Sequence, residues 1–102
     1  MIFRRKSNRR TDILKIKWNI DDSLVITLHK NYLILVWSPD DGNLIHELRG
    51  HSDDIYVLEP HPRDPRILLS AGYDSSVSIW NIINGENIKK FYDEVIINIF
   101  KF

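Results

Sequence analysis

Four histidines and three acidic pairs are the side chains with the widest chemical reach in this sequence. His29, His46, His51 and His61 have the composition of a zinc set, and His51 alone that of a general base. Asp21-Asp22, Asp40-Asp41 and Asp53-Asp54 have the composition of calcium ligands or of a carboxylate pair for glycoside chemistry. Spacing removes most of this. No histidines pair at metal-ligand spacing on one element, and with Cys 0 the thiolate half of a zinc site is missing. The acidic pairs fall between apolar runs with no EF-hand spacing, where Asx turns account for them. A Gly-x-Ser-x-Gly elbow and a Gly-rich phosphate loop are absent. The expectation is no metal, no cofactor, no small-molecule substrate and no enzyme.

The lack of Cys also removes disulfides, iron–sulfur clusters and a thiol nucleophile, and it suits a reducing intracellular compartment. With 102 residues, 43% hydrophobic and 27% charged, the chain has room for one small domain or about two units of a repeat protein. It is too apolar for obligatory disorder. Fourteen bases balance fourteen acids, so there is no whole-chain pull toward nucleic acid or anionic membrane. Val95-Ile96-Ile97 is far shorter than the ~20 residues of a membrane helix, and no apolar h-region follows Met1–Lys6. Neither a membrane span nor a secretory signal is expected.

Charge is unevenly placed. Residues 1–17 hold seven bases against Asp12, a net of +6, and the remainder is −6. A basic arm ahead of an acidic body is the arrangement of a nucleic-acid arm or a nuclear-import patch. The run Arg4–Arg10 carries no aromatic residue for base stacking, and a solvated tail is the plainer reading.

The elements that must position these residues have a period of two. Apolar β-formers occupy Ile13–Trp18, Leu24–Leu28, Tyr32–Trp37, Leu44–Leu48, Ile55–Leu58, Ile67–Ala71, Val77–Trp80 and Ile88–Tyr92. Eight short strands at roughly ten-residue spacing predict an antiparallel all-β protein with almost no helix. Turn compositions separate them, among them Ser38-Pro39-Asp40-Asp41-Gly42, Pro62-Arg63-Asp64-Pro65 and Asn84-Gly85. The pattern then repeats. Trp37 and Trp80 each close a strand and lie 43 residues apart. Ten residues before each stands a hydroxyl, Thr27 or Ser70, and six before each stands Asn31 or Asp74. A four-strand unit with a period of 40–45 residues is the signature of a propeller blade.

The segment from Gly50-His51 to Trp80-Asn81 resembles a WD repeat. In that family four side chains form a buried network within a blade, and the resemblance maps them onto His51, Ser70, Asp74 and Trp80. His51 is then structural rather than catalytic. Thr27, Asn31 and Trp37 form a degenerate copy in the first repeat. A narrower resemblance lies in Asn43–His51, Leu58-Glu59-Pro60-His61-Pro62-Arg63-Asp64-Pro65-Arg66-Ile67-Leu68 and Ser70-Ala71-Gly72, which is similar to the bromodomain and WD repeat-containing family. That resemblance implies a nuclear chromatin regulator of transcription and, in some relatives, a substrate receptor of a cullin-RING ubiquitin ligase. Receptor propellers dock their adaptor through Trp-Asp-x-Arg, but the equivalents here are Trp37-Ser38-Pro39-Asp40 and Trp80-Asn81-Ile82-Ile83, without Arg.

The sequence therefore divides into a basic arm at 1–11, a degenerate WD repeat at 12–49, a WD repeat at 50–93 and a tail at 94–102 that departs from the family pattern. The expectation is an incomplete β-propeller of about two blades, a piece of a longer protein or a truncated product. Both outer blade faces are expected to stay open, leaving the chain marginal, aggregation-prone or oligomeric unless further blades of the same propeller cover them. Its expected partners are other proteins, its place the nucleus by resemblance and otherwise the cytoplasm. The contact surface falls on the turn residues Ser52, Asp53, Asp54, His61, Arg63, Tyr73 and Ser75. The alternative is histone-tail or nucleic-acid binding through the basic arm and the acidic blade surface.

Overall fold

The computed structural model describes residues 13–92, so the basic arm and the tail lie outside the described residues. Eight strands form: β1 (Ile13–Trp18), β2 (Val25–His29), β3 (Leu33–Trp37), β4 (Leu44–Leu48), β5 (Ile55–Pro60), β6 (Ile67–Gly72), β7 (Val77–Asn81) and β8 (Glu86–Phe91). Among the described residues there is no helix. The strands pair in chain order into two four-stranded antiparallel meanders, β1–β4 and β5–β8. Each lies within a residue or two of its apolar run, because Pro, Gly and Asx residues end the alternation where the chain must turn.

The two sheets repeat each other down to their irregularities. The β1–β2 ladder slips between Ile13 and Lys15, and the β5–β6 ladder between Ile55 and Val57. The β3–β4 ladder slips between Val36 and Trp37, and the β7–β8 ladder between Ile79 and Trp80. Each bulge beside a Trp bends the outer strand at the widest side chain of its sheet.

The sheets stack face to face. Leu24, Ile26, Leu28, Ile34, Val36 and Leu48 of the first join Ile55, Leu58, Leu68, Trp80 and Ile82 of the second in one buried cluster. Burying each such side chain contributes about 1.5–3 kcal/mol, so this contact dominates the fold. Polar links close its margins. Lys15 Nζ donates to Tyr56 O at 3.1 Å, and His46 Nε2 donates to Ile83 O at 2.7 Å. Buried Asn19 donates to Pro65 O at 3.0 Å and accepts from Leu24 N at 2.9 Å, tying the first turn of one sheet to that of the other.

β2 and β3 are buried on both faces, which is why their sequences read as near-continuous apolar runs. The expectation of two open outer faces fails for the first sheet. There Val25, Leu33, Leu35 and Trp37 are 0–3% exposed, with Leu44 packed against them. The second sheet keeps Ile67, Leu69 and Ile79 part-exposed. Trp18, unlike the other two tryptophans, is 45% exposed on the edge strand β1.

Candidate functional site

The loops at the two ends of the sheets form two rims, and a buried relay of side chains holds one of them. Asp74, at the turn between β6 and β7, accepts from Ser52 N at 2.9 Å, Ser76 N at 3.1 Å and Ser76 Oγ at 2.6 Å. His51 Nδ1 lies 3.2 and 3.3 Å from the two Asp74 oxygens, and His51 Nε2 lies 2.7 Å from Ser70 Oγ. Trp80 Nε1 donates to Ser70 Oγ at 2.8 Å.

Proton positions follow by elimination. An indole N–H only donates and a carboxylate only accepts, so the Ser70 hydroxyl hydrogen goes to His51 Nε2 and His51 carries its proton on Nδ1. The relay then runs one way, from Trp80 through Ser70 and His51 to Asp74. Ser76, fully buried, completes it: its hydroxyl donates to Asp74 and its oxygen accepts from His51 Nδ1 at 3.0 Å. Sequence reasoning missed Ser76, although a hydroxyl two residues after a turn Asp is a recognisable signal.

Burial holds the His51 imidazole below its ordinary 6.5, against the opposing hydrogen bond and charge of Asp74. Burial pushes the Asp74 carboxyl up, but hydrogen bonds from Ser76, Ser52 and His51 outweigh it and leave the group below its ordinary 3.8. The unfolded chain thus takes up a proton on His51 before the folded chain does. Stability is full above 6.5 and declines as pH falls below it, and a second loss follows below 3.8 as Asp74 protonates. The expected result is a melting temperature that falls between neutral pH and pH about 5.5, with part of the slope missing in His51→Gln. An equal slope in the variant removes His51 as its source.

Gly72 is the other constraint. A Cβ there would stand 3.0 Å from Asp74 Oδ1, 3.0 Å from His51 Nδ1 and 3.1 Å from the Asp54 carbonyl. Gly72→Ala wedges the relay apart and is expected to destabilise by about 1–3 kcal/mol in urea unfolding. A neutral result shows that the relay has slack.

In the first sheet Trp37 Nε1 donates to Thr27 Oγ1 at 2.7 Å, and Thr27 Oγ1 lies 2.7 Å from His29 Nε2. Here the structure corrects the expected degenerate trio. Asn31 is exposed at φ 67° with Tyr32 at φ 63°, whereas the second sheet's turn has only Ser75 at positive φ, 63°. Two successive left-handed residues turn the Asn31 position outward, and buried His29 bonds Thr27 instead. Thr27 and His29 are two apart on one strand face, the period that makes this pair visible in sequence.

The expected contact residues separate. Ser52, Asp53, Asp54, Tyr73 and Ser75 share the rim beside Asp74, where Tyr73 N donates to Asp54 O at 2.8 Å. Tyr73 is 60% exposed and its ring lies 4.6 Å from that of Tyr56. Tyr32 and Tyr92, which the sequence did not single out, stand at the same rim, 38% and 70% exposed. His61 and Arg63 lie a strand length away, at the opposite rim. There His61 Nδ1 accepts from Arg63 N and Asp64 N, both at 3.0 Å, and Arg66 grips Asp64 through two bonds. The Arg66 guanidinium holds the Asp64 carboxyl down at about 2. Among the described residues no group of His, Asp and Glu is placed to hold a metal ion.

The family described as WD domain, G-beta repeat, matches residues 42–81, from the turn before β4 to the end of β7. The chain carries a WD repeat at residues 42–81, and its two sheets have the fold of β-propeller blades. The Myceliophteria thermophila Cps50 (Swd1) β-propeller domain superposes with a TM-score of 0.73 at 21% identity, over 83% of this chain and 27% of that one. U3-55K superposes with 0.75 at 20% identity, over 85% of this chain and 28% of that one. In sequence, the WD-repeat chain is 45% identical over 74 residues to a bromodomain and WD repeat-containing protein of Dictyostelium discoideum, covering 72% of this chain and 3% of that protein. It is 34% identical over 87 residues to human Coronin-2A, covering 78% and 17% respectively. It is 31% identical over 81 residues to Danio rerio protein transport protein Sec31A, covering 78% and 6%. The chain thus spans 3–17% of the length of these relatives. WD propellers are in general protein-interaction scaffolds rather than enzymes.

Proposed function

We propose that the chain is a protein–protein interaction module, two WD-repeat units (12–49 and 50–93) of a chromatin-associated regulator of transcription, without catalytic activity of its own. The rim beside Asp74 carries the reading. Tyr73 stands there with Asp53 and Asp54 beside the turn that the buried relay holds, and Tyr32 and Tyr92 are exposed at the same rim. Aromatic anchors on rigid loops are what a recognition surface requires. Two acids beside them favour a basic segment of a partner. The chromatin and nuclear assignments rest on the 45% identity to the bromodomain-containing relative, and a ubiquitin-ligase role has the weaker support, since no Arg follows either closing Trp.

The test is capture of chromatin proteins from nuclear extract by the tagged full chain. Capture is expected to survive deletion of residues 1–11 and to fall about tenfold in Tyr73→Ala, the effect of losing an interface anchor. The competing reading is polynucleotide binding by the arm. A steeply salt-dependent affinity for nucleic acid that vanishes with the deletion, alongside capture indifferent to Tyr73, overturns the proposal.

A further inference from the structure

The basic arm joins the first blade beside a pair of stacked tyrosines. Ile13, the first residue of β1, pairs with His29 next to the 30–32 turn, so the arm meets the fold at the rim that carries Asp74. Two residues further on, Lys15 Nζ reaches Tyr56 O at 3.1 Å. The Tyr56 ring lies 4.6 Å from that of Tyr73 and is inclined to it by 38°. Tyr56 packs on buried Val57, Ala71 and Val77 and is a fixed floor, and Tyr73 above it is 60% exposed. Tyr73 N donates to Asp54 O at 2.8 Å, which brings exposed Asp53 and Asp54 alongside. Three bases of this rim are engaged elsewhere: Arg49 by Glu47 at 2.8 Å, Lys15 by the Tyr56 carbonyl and Lys90 by the Gly50 carbonyl.

We infer that this surface docks the chain's own arm, whose arginines compete there with the basic segment of a partner. Given that the rim is a recognition surface, as proposed above, the arm is its built-in competitor. Composition, charge and reach favour this occupant. Residues 1–12 carry Arg4, Arg5, Lys6, Arg9 and Arg10 against Asp12, so four of the five bases are arginine. A guanidinium lies flat on a tyrosine ring and grips a carboxylate through two parallel N–H bonds. A tyrosine stack beside two carboxylates offers both contacts at once.

Neighbouring blades bring opposite charges to the same rim. The approach to β5 reads Ser52-Asp53-Asp54, and the approach to β1 reads Arg9-Arg10-Thr11-Asp12. Arg9 and Arg10 precede Ile13 by four and three residues, which is about 10–14 Å of extended chain before the side chain is added. Stacked sheets stand roughly 10 Å apart, so the second blade is within range. A tether this short holds the arm at an effective concentration in the millimolar range. A contact dissociating at about 0.1 mM is then occupied about nine-tenths of the time, and an added basic segment binds about tenfold more weakly.

The probe is a labelled synthetic peptide of residues 1–11. It is titrated by fluorescence anisotropy into the full chain and into a full-chain Arg9→Glu, Arg10→Glu variant, whose arm the acids repel. Circular dichroism checks the fold of each variant. The peptide is expected to bind the double variant about tenfold more tightly than the parental chain, and salt weakens the contact. Adding Tyr73→Leu keeps apolar bulk on Tyr56 but removes the ring, and is expected to cost about fivefold in affinity. A peptide with lysine in place of its four arginines keeps its charge and is expected to bind several-fold more weakly. A peptide that binds both chains equally, or neither, overturns the inference. So does binding indifferent to Tyr73→Leu, or a lysine peptide that binds as well as the arginine one. The broader reading is judged separately: chromatin-protein capture that falls in Tyr73→Ala upholds it even where the peptide ignores the rim.

Discussion

Replacing Asp74 with alanine is expected to lower the unfolding free energy by about 3–5 kcal/mol, the usual result of removing one member of a buried charged pair. Four donors converge on this carboxylate: Ser52 N, Ser76 N, Ser76 Oγ and His51 Nδ1. Its side chain and that of His51 are 5% and 1% exposed, so water does not replace what the substitution removes. Domains of this size are held by about 5–15 kcal/mol in total, which leaves the variant close to its unfolding midpoint. Asp74→Asn retains one acceptor oxygen and is expected to fall between the two. Urea unfolding followed by circular dichroism and tryptophan fluorescence measures both. A loss under about 1 kcal/mol for the alanine variant shows that the turn is organised by its backbone and not by the carboxylate.

Trp80→Ala is expected to have an effect of the same size, about 3–5 kcal/mol, for a different reason. The indole is 2% exposed in the cluster between the blades, in company with Ile26, Leu28, Ile34 and Val36. Its removal leaves a cavity where the two sheets meet, so both blades lose support although only one is altered. Trp80→Phe separates the two contributions. It keeps most of the ring while withdrawing the N–H from Ser70, and a loss of about 1–2 kcal/mol is expected. Combined with Ser70→Ala, it is expected to lose less than the sum of the two single variants, because the Trp80–Ser70 bond is 2.8 Å long and buried. Strict additivity dissolves the relay into independent contacts.

The architecture was legible because each local signal agreed with the next. Period-two apolar runs fixed the eight strands, and the spacing of Trp37 and Trp80 fixed the repeat. The relay was legible only where spacing along the chain implies closeness in space. Ser70 and Trp80 sit ten apart because β6 and β7 are antiparallel neighbours, which a strand count recovers. The place of Asn31 was not legible, since the sign of φ at a turn decides it and both Asn and Asp are tolerated there. Nor was the separation of His61 and Arg63 from Ser52, Asp53, Asp54, Tyr73 and Ser75. All are turn residues, and only the direction of the strands assigns a turn to one end or the other. The buried outer face of the first blade was invisible for another reason: an apolar strand face has the same sequence covered or bare.

The stretch that carries the family pattern, residues 42–81, is out of phase with the sheets by one strand. It takes the outermost strand of one blade and the first three of the next, as roof tiles overlap the course beneath. Any scissors placed at the edge of the recurring motif therefore leave a torn sheet on one side and an orphaned ribbon on the other. A single copy excised as Gly42–Asn81 holds β4 without its three companions and β7 without β8. Natural duplication faces the same geometry: adding a copy inserts no finished blade but shifts the splice along, and each newcomer completes the sheet begun by the copy before it.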